Sequence, residues 1–133
     1  MKPKSISKLK AKLWEVFALY IKLKYSDGNG WCRCYTSGVP LKIGTSNCQA
    51  GHYYSKKGYP ALYFNENNVR PQSYHDNINL SGNTQVFREN LIKEIGEEGV
   101  AELDKHRNDT IKWSRSDLEE KIKYYSELIK QMQ

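Results

Sequence analysis

Long apolar runs are missing from this chain, and no stretch approaches the roughly 20 residues that a membrane span requires. The lysine-rich start has neither the uninterrupted apolar region nor the small-residue cleavage site of a signal peptide. A cytoplasmic protein with no membrane partner is expected. Cysteine is scarce as well. The three cysteines cannot all pair within one chain, so they read as free thiols or metal ligands in a reducing compartment, not as a disulfide framework. Internal repeats and low-complexity tracts are absent, and 133 residues give room for one compact domain but not for a two-domain enzyme.

Acidic residues are almost missing from the start of the chain. Up to Lys24, seven lysines face the single Glu15, so the net charge of +6 is concentrated there. Such a face neutralises phosphates and releases counterions, which makes nucleic acid the first partner to consider; a solvated helix face is the competing reading. Ten Tyr and three Trp are many for a chain this short. They fill core volume with packed rings or, interleaved with lysines, stack on unpaired bases.

Leu9, Leu13, Val16, Phe17, Tyr20 and Leu23 recur at spacings of three and four, predicting a helix over 7–25 that the Ser26-Asp27-Gly28-Asn29-Gly30 run ends. From Trp31 to Pro71, Gly and Pro punctuate short apolar stretches, which predicts turns and short strands. A short helix is expected over 74–80. Asn83 is read as the N-cap of a helix closed by Gly96, with a second helix over 97–106. Ser116 and Glu119 fit a capping box opening a last helix with Leu118, Ile122, Tyr125 and Ile129 inward.

The informative segments are Cys34-Tyr35-Thr36-Ser37-Gly38, Gln49-Ala50-Gly51-His52-Tyr53, Asn65-Glu66-Asn67-Asn68-Val69, Gln72-Ser73-Tyr74-His75-Asp76-Asn77, Leu80-Ser81-Gly82-Asn83 and the helical 91–98 stretch. In this order the chain resembles the NinG family of phage recombination proteins, also called Rap, within the HNH or ββα-metal nucleases. The resemblance implies an α+β fold: a basic N-terminal helix (1–25), a small HNH-like ββα core (26–82) and a C-terminal helical extension (83–133). It further implies a metal-dependent endonuclease acting on branched or single-strand-containing DNA. By matching positions, His52 would be the general base, Asn68 the loop asparagine that fixes its ring, and Asn77 a ligand for Mg²⁺ or Mn²⁺ on the following helix.

The family pattern also carries two Cys-x-x-Cys pairs that could hold a structural zinc. Here the corresponding positions are Cys34, Ser37, Ser73 and Asp76, so no structural zinc is expected unless Cys32, Cys48 or His75 is recruited. Many HNH enzymes place a ligand just before the base, where this chain has Gly51; Gln49, on the other strand face from His52, is the nearest polar residue. Lys8, Lys12, Lys22, Tyr53, Tyr54, Lys56, Lys57 and Arg70 are the expected DNA contacts. Symmetrical cutting of a four-way junction would favour a homodimer. The alternative reading is a non-catalytic protein that binds DNA structures and has kept the fold.

Overall fold

A computed structural model describes residues 4–133. Helix α1 (Ile6–Lys24) opens on the Ser5 side chain, which accepts from the Lys8 amide at 3.2 Å. Of the predicted stripe, Leu9, Leu13 and Phe17 are buried and Val16, Tyr20 and Leu23 partly so, while Ile21, outside that prediction, is buried with them. That stripe packs on the last helix, α3 (Arg115–Met132), through Leu118 and Tyr125, and on Phe64 and Val69 from the middle of the chain. No described helix is long and apolar enough to cross a membrane.

The architecture is α+β with two small antiparallel ribbons. Strands β1 (Trp31–Arg33) and β2 (Pro40–Lys42) form one; β3 (Cys48–His52) and β4 (Val69–Ser73) form the other, paired from Cys48 opposite Ser73 to His52 opposite Val69. Two 3₁₀ turns, Pro60–Leu62 and Glu66–Asn68, lie in the β3–β4 connection. Helix α2 (Thr84–His106) buries Phe87, Leu91, Val100 and Leu103 against Leu62. It breaks at Gly96 (φ 79°, ψ 166°), as the sequence predicts, because only glycine adopts that backbone without strain.

Three local expectations need correction. The helix expected over 74–80 is a single π-helical turn, His75–Asn79. Asn83 does hold the N-cap position of α2, its carbonyl accepting from the Phe87 amide at 3.0 Å, but it gives no side-chain cap: its backbone is left-handed (φ 47°), and its side-chain amide donates to Asp76 Oδ2 at 3.2 Å. The capping box of α3 sits two residues earlier, with Ser114 accepting from the Asp117 amide and the Asp117 carboxylate accepting from the Ser114 amide. Two overlapping Ser-x-x-acid matches exist here. The earlier one places Trp113 before the cap and Leu118 one turn in, and both then pack on the α1 core as a hydrophobic staple.

Candidate active-site cleft

His52 ends β3 and faces a cleft of about 620 Å³ whose walls include Trp14, Lys22, Gln49, Lys56 and Asn77. Its ring stacks on Trp14 at 4.8 Å and 20° and meets the Tyr63 ring edge-on at 5.1 Å. Nε2 lies 3.0 Å from the Tyr63 carbonyl oxygen. A carbonyl can only accept, so Nε2 carries the proton and Nδ1 keeps its lone pair. Burial pushes the imidazole pKa down; the Tyr63 bond opposes this and Lys56 adds to it. The ring is therefore neutral near pH 7, with a fixed tautomer and a basic Nδ1.

Asn77, midway along the π turn, donates from Nδ2 to Gln49 Oε1 at 2.8 Å, and Gln49 Nε2 donates to the Ser46 carbonyl at 3.2 Å. That bond uses the amide nitrogen, so the Oδ1 carbonyl is what Asn77 has left to offer. Gln49 thus belongs to the same cleft as His52 although strand alternation puts them on opposite faces, because the π turn folds back over the start of β3. Among the described residues, no carboxylate lines this cleft.

Gly51 has a steric cause. A β-carbon there would sit 1.8 Å from Gln72 Oε1, and Gln72 cannot withdraw: it is fully buried, with Nε2 donating to Thr36 Oγ1 at 3.0 Å and to the Gly82 carbonyl at 2.9 Å. Its Oε1 has no hydrogen-bond partner among the described residues. The position before His52 is closed to any larger side chain.

Among the described residues, Asn68 makes no hydrogen bond to the imidazole. Its side chain is fully buried, accepting from the Tyr54 amide at 2.8 Å and donating to the carbonyls of Tyr54 and Leu62 at 3.0 and 3.1 Å. It ties the segment after His52 to the residue before Tyr63, and so holds the carbonyl that orients His52. The direct hydrogen bond to the ring expected of it is not made; what its side chain holds is the loop.

Arg70 is also corrected as a DNA contact. Its side chain is 2% exposed, with Nε 3.1 Å from Glu94 Oε1 and its guanidinium beneath the Tyr25 and Tyr35 rings at 5.0 and 5.4 Å. Both tyrosine hydroxyls donate to Glu94 at 2.6 Å. The cation fastens α2 to β4 and is out of reach of a phosphate. Tyr53 packs on Phe87 and accepts from Arg88 at 2.9 Å, while the Tyr54 hydroxyl bonds Asp104. Arg88, 2.8 Å from Asp104, holds that carboxyl down at about 2 despite partial burial. Both tyrosines are half-buried and engaged with α2, not held out as platforms.

Among the lysines, Lys22 and Lys56 line the cleft and Lys57 is exposed beside it. Lys8 and Lys12 lie outside the cleft lining, Lys8 exposed and Lys12 3.8 Å from Glu15. Trp14, Ala18 and Lys22, at four-residue spacing, bring α1 to the cleft. Sequence reasoning missed Trp14; its signal was this second stripe beside the core stripe.

Cys34, Ser37, Ser73 and Asp76 do come together, as two facing turns. The Ser37 amide donates to Cys34 Sγ at 3.4 Å, the Asp76 amide donates to Ser73 Oγ at 3.2 Å, and the Cys34 thiol donates across to Ser73 Oγ at 3.7 Å. Asp76 Oδ2 accepts from Thr36 at 2.5 Å. Burial alone would raise the Cys34 thiol, but hydrogen bonds from Ser37, Thr36 and Ser73 outweigh it and bring it down to about 7. Two hydroxyls, one thiol and one carboxylate, the last already accepting from Thr36 and Asn83, do not fit a zinc ion, which favours thiolate and imidazole ligands. Cys32 and Cys48 pair separately, sulfurs 3.7 Å apart, and His75 is exposed. Among the described residues no three His, Cys, Asp or Glu side chains cluster as a metal site.

A family model described as "Bacteriophage Lambda NinG protein" matches residues 2–133. The chain belongs to the NinG family. Among curated proteins, Protein ninG of Escherichia phage lambda and Protein ninG of Enterobacteria phage H19B are each 35% identical over 75 residues, 56% of this chain. The match spans 35% and 36% of the length of those NinG relatives, respectively. No solved structure matches the chain.

Proposed function

We propose that this NinG-family chain is an HNH-type endonuclease that hydrolyses phosphodiester bonds in branched or single-strand-containing DNA during phage recombination. The observation that carries the reading is His52 on the wall of a cleft shared with Lys22 and Lys56, with its Nε2 proton committed to the Tyr63 carbonyl and no hydrogen bond to Nδ1 among the described residues. Nδ1 takes a proton from water as the water oxygen bonds phosphorus and the bond to the leaving sugar oxygen breaks. Lys22 and Lys56 hold the phosphate, and Trp14 keeps the imidazole plane from turning.

Asn77 Oδ1, with Gln49 beside it, would hold a divalent cation such as Mg²⁺ or Mn²⁺. Neutral oxygens without a carboxylate suit an ion that keeps its waters and borrows charge from the phosphate. When bound, it supplies charge stabilisation on the phosphate and the leaving oxygen.

The lack of a cleft carboxylate favours a second reading, a non-catalytic binder of DNA structures. One assay separates them: wild type with Mg²⁺, Mn²⁺, Ni²⁺ or Co²⁺ on four-way junctions, flaps and single strands. Metal-dependent nicks support the nuclease. Tight binding with no cut on any substrate replaces it with the binder.

A further inference from the structure

Beside the cleft lies a second cavity of about 410 Å³, walled by Trp14, Pro60, Tyr63, Phe64 and Trp113 with Lys10 at its edge. Trp14 and Tyr63 each serve both places: Trp14 stacks on His52 and lines the two cavities, and Tyr63 contributes its carbonyl to His52 and its ring to the groove. Trp14 and Tyr63 meet at 5.4 Å, and Phe64 and Trp113 at 5.6 Å. The ammonium of Lys121 lies 5.5 Å from the Trp113 ring centre, and Ile111 is 40% exposed on the groove wall.

We propose that this aromatic groove receives an unpaired base of the DNA strand whose phosphate lies at His52. This rests on the DNA reading above and deepens it, by making unpaired strands the preferred substrate at the cut. Flat apolar walls suit a planar ring, and stacking on them is tolerant of base identity. Lys10 on the groove wall and Lys121 over the Trp113 ring, with Lys22 and Lys56 in the cleft, supply positive charge around the shared Trp14 wall. A base carrying its own phosphate matches both features, whereas a paired base in a duplex cannot enter. The shared wall ties the two sites, so a strand held by its base presents a neighbouring phosphate to His52.

The test needs no cleavage, so its outcome is independent of whether the chain is a nuclease. Binding of a ten-nucleotide oligo-dT and of a blunt duplex of the same length is measured by fluorescence anisotropy without divalent metal. Trp113→Ala should weaken the single strand about tenfold, the loss of one stacked base. Duplex affinity should stay within about twofold, and Trp113→Phe should recover most of the loss. Unchanged single-strand affinity, or an equal loss on both ligands, overturns the proposal. Because Trp113 also packs on Phe64, a second measurement uses wild type alone: oligo-dT carrying one 5-iodouracil is photo-cross-linked and the adduct mapped by mass spectrometry. Adducts at Trp14, Tyr63 or Trp113 support the groove, and adducts confined elsewhere overturn it.

Discussion

Replacing the fully buried Asn68 by Ala removes three hydrogen bonds, to the Tyr54 amide, the Tyr54 carbonyl and the Leu62 carbonyl. Each is worth about 1 kcal/mol net, and the orphaned Tyr54 amide adds a further 1 kcal/mol or so for an unsatisfied donor. The variant should therefore lose about 3–4 kcal/mol. With an unfolding entropy of roughly 2.1 cal/mol/K per residue, that is a drop in Tm of about 10–14 °C. Urea unfolding gives the free energy directly, with an unchanged m-value if only the native state is affected. Cleavage measured well below the lowered Tm should fall as well, because the loop that presents the Tyr63 carbonyl is loosened. A variant that keeps its Tm within about 2 °C yet loses cleavage would refute this reasoning. Asn68 would then act on the ring or the substrate directly.

Joint replacement S37C, S73C and D76C should create a stoichiometric zinc site detectable by elemental analysis. The Cys34 sulfur and Ser73 oxygen are 3.7 Å apart, close to the roughly 3.8 Å edge of a tetrahedron with 2.3 Å Zn–S bonds; a purified triple variant free of zinc would show that the turns do not face correctly. Gly51→Ala should cost about 1–3 kcal/mol by overpacking against Gln72, and adding Gln72→Ala should return part of it; purely additive losses in a double-mutant cycle would refute the clash. Lys22→Glu with Lys56→Glu should weaken DNA binding at low salt and flatten the salt dependence by roughly one unit of slope per lost contact. Arg70→Gln should leave that slope unchanged while lowering Tm, and a change of slope would put Arg70 at the DNA after all.

Local signals in the sequence were enough for α1, the break at Gly96 and the α+β class, because a 3.6-residue apolar period and a positive-φ glycine act within a few residues. The capping register of α3 was ambiguous at that range, since Ser114 and Ser116 both precede an acid by three residues; only packing of Trp113 on a core built from α1 decides between them. Arg70 reads from sequence as a surface cation. Its burial requires Tyr25, Tyr35 and Glu94, contributed by three distant segments, so no nearby residue could reveal it. The cleft shows the same division: His52 and Asn77 were legible by resemblance, while Trp14, the Tyr63 carbonyl and Gln49 enter through tertiary contact. Gly51 was read as a missing ligand, and the buried Gln72 carboxamide gives the reason.

The proposed reading makes His52 Nδ1 the base. Its most direct test is single-turnover nicking of a junction by wild type and His52→Ala, with DNA affinity measured in parallel and the wild-type rate followed from pH 5 to 8. His52→Ala should lose about 100-fold or more in rate with affinity nearly unchanged. Burial lowers the His52 pKa below 6.5, so the deprotonated, active ring persists below that pH, and the wild-type rate should hold its plateau there before falling in acid. A variant that cuts as fast as wild type, or a rate already falling above pH 6.5, would contradict the account.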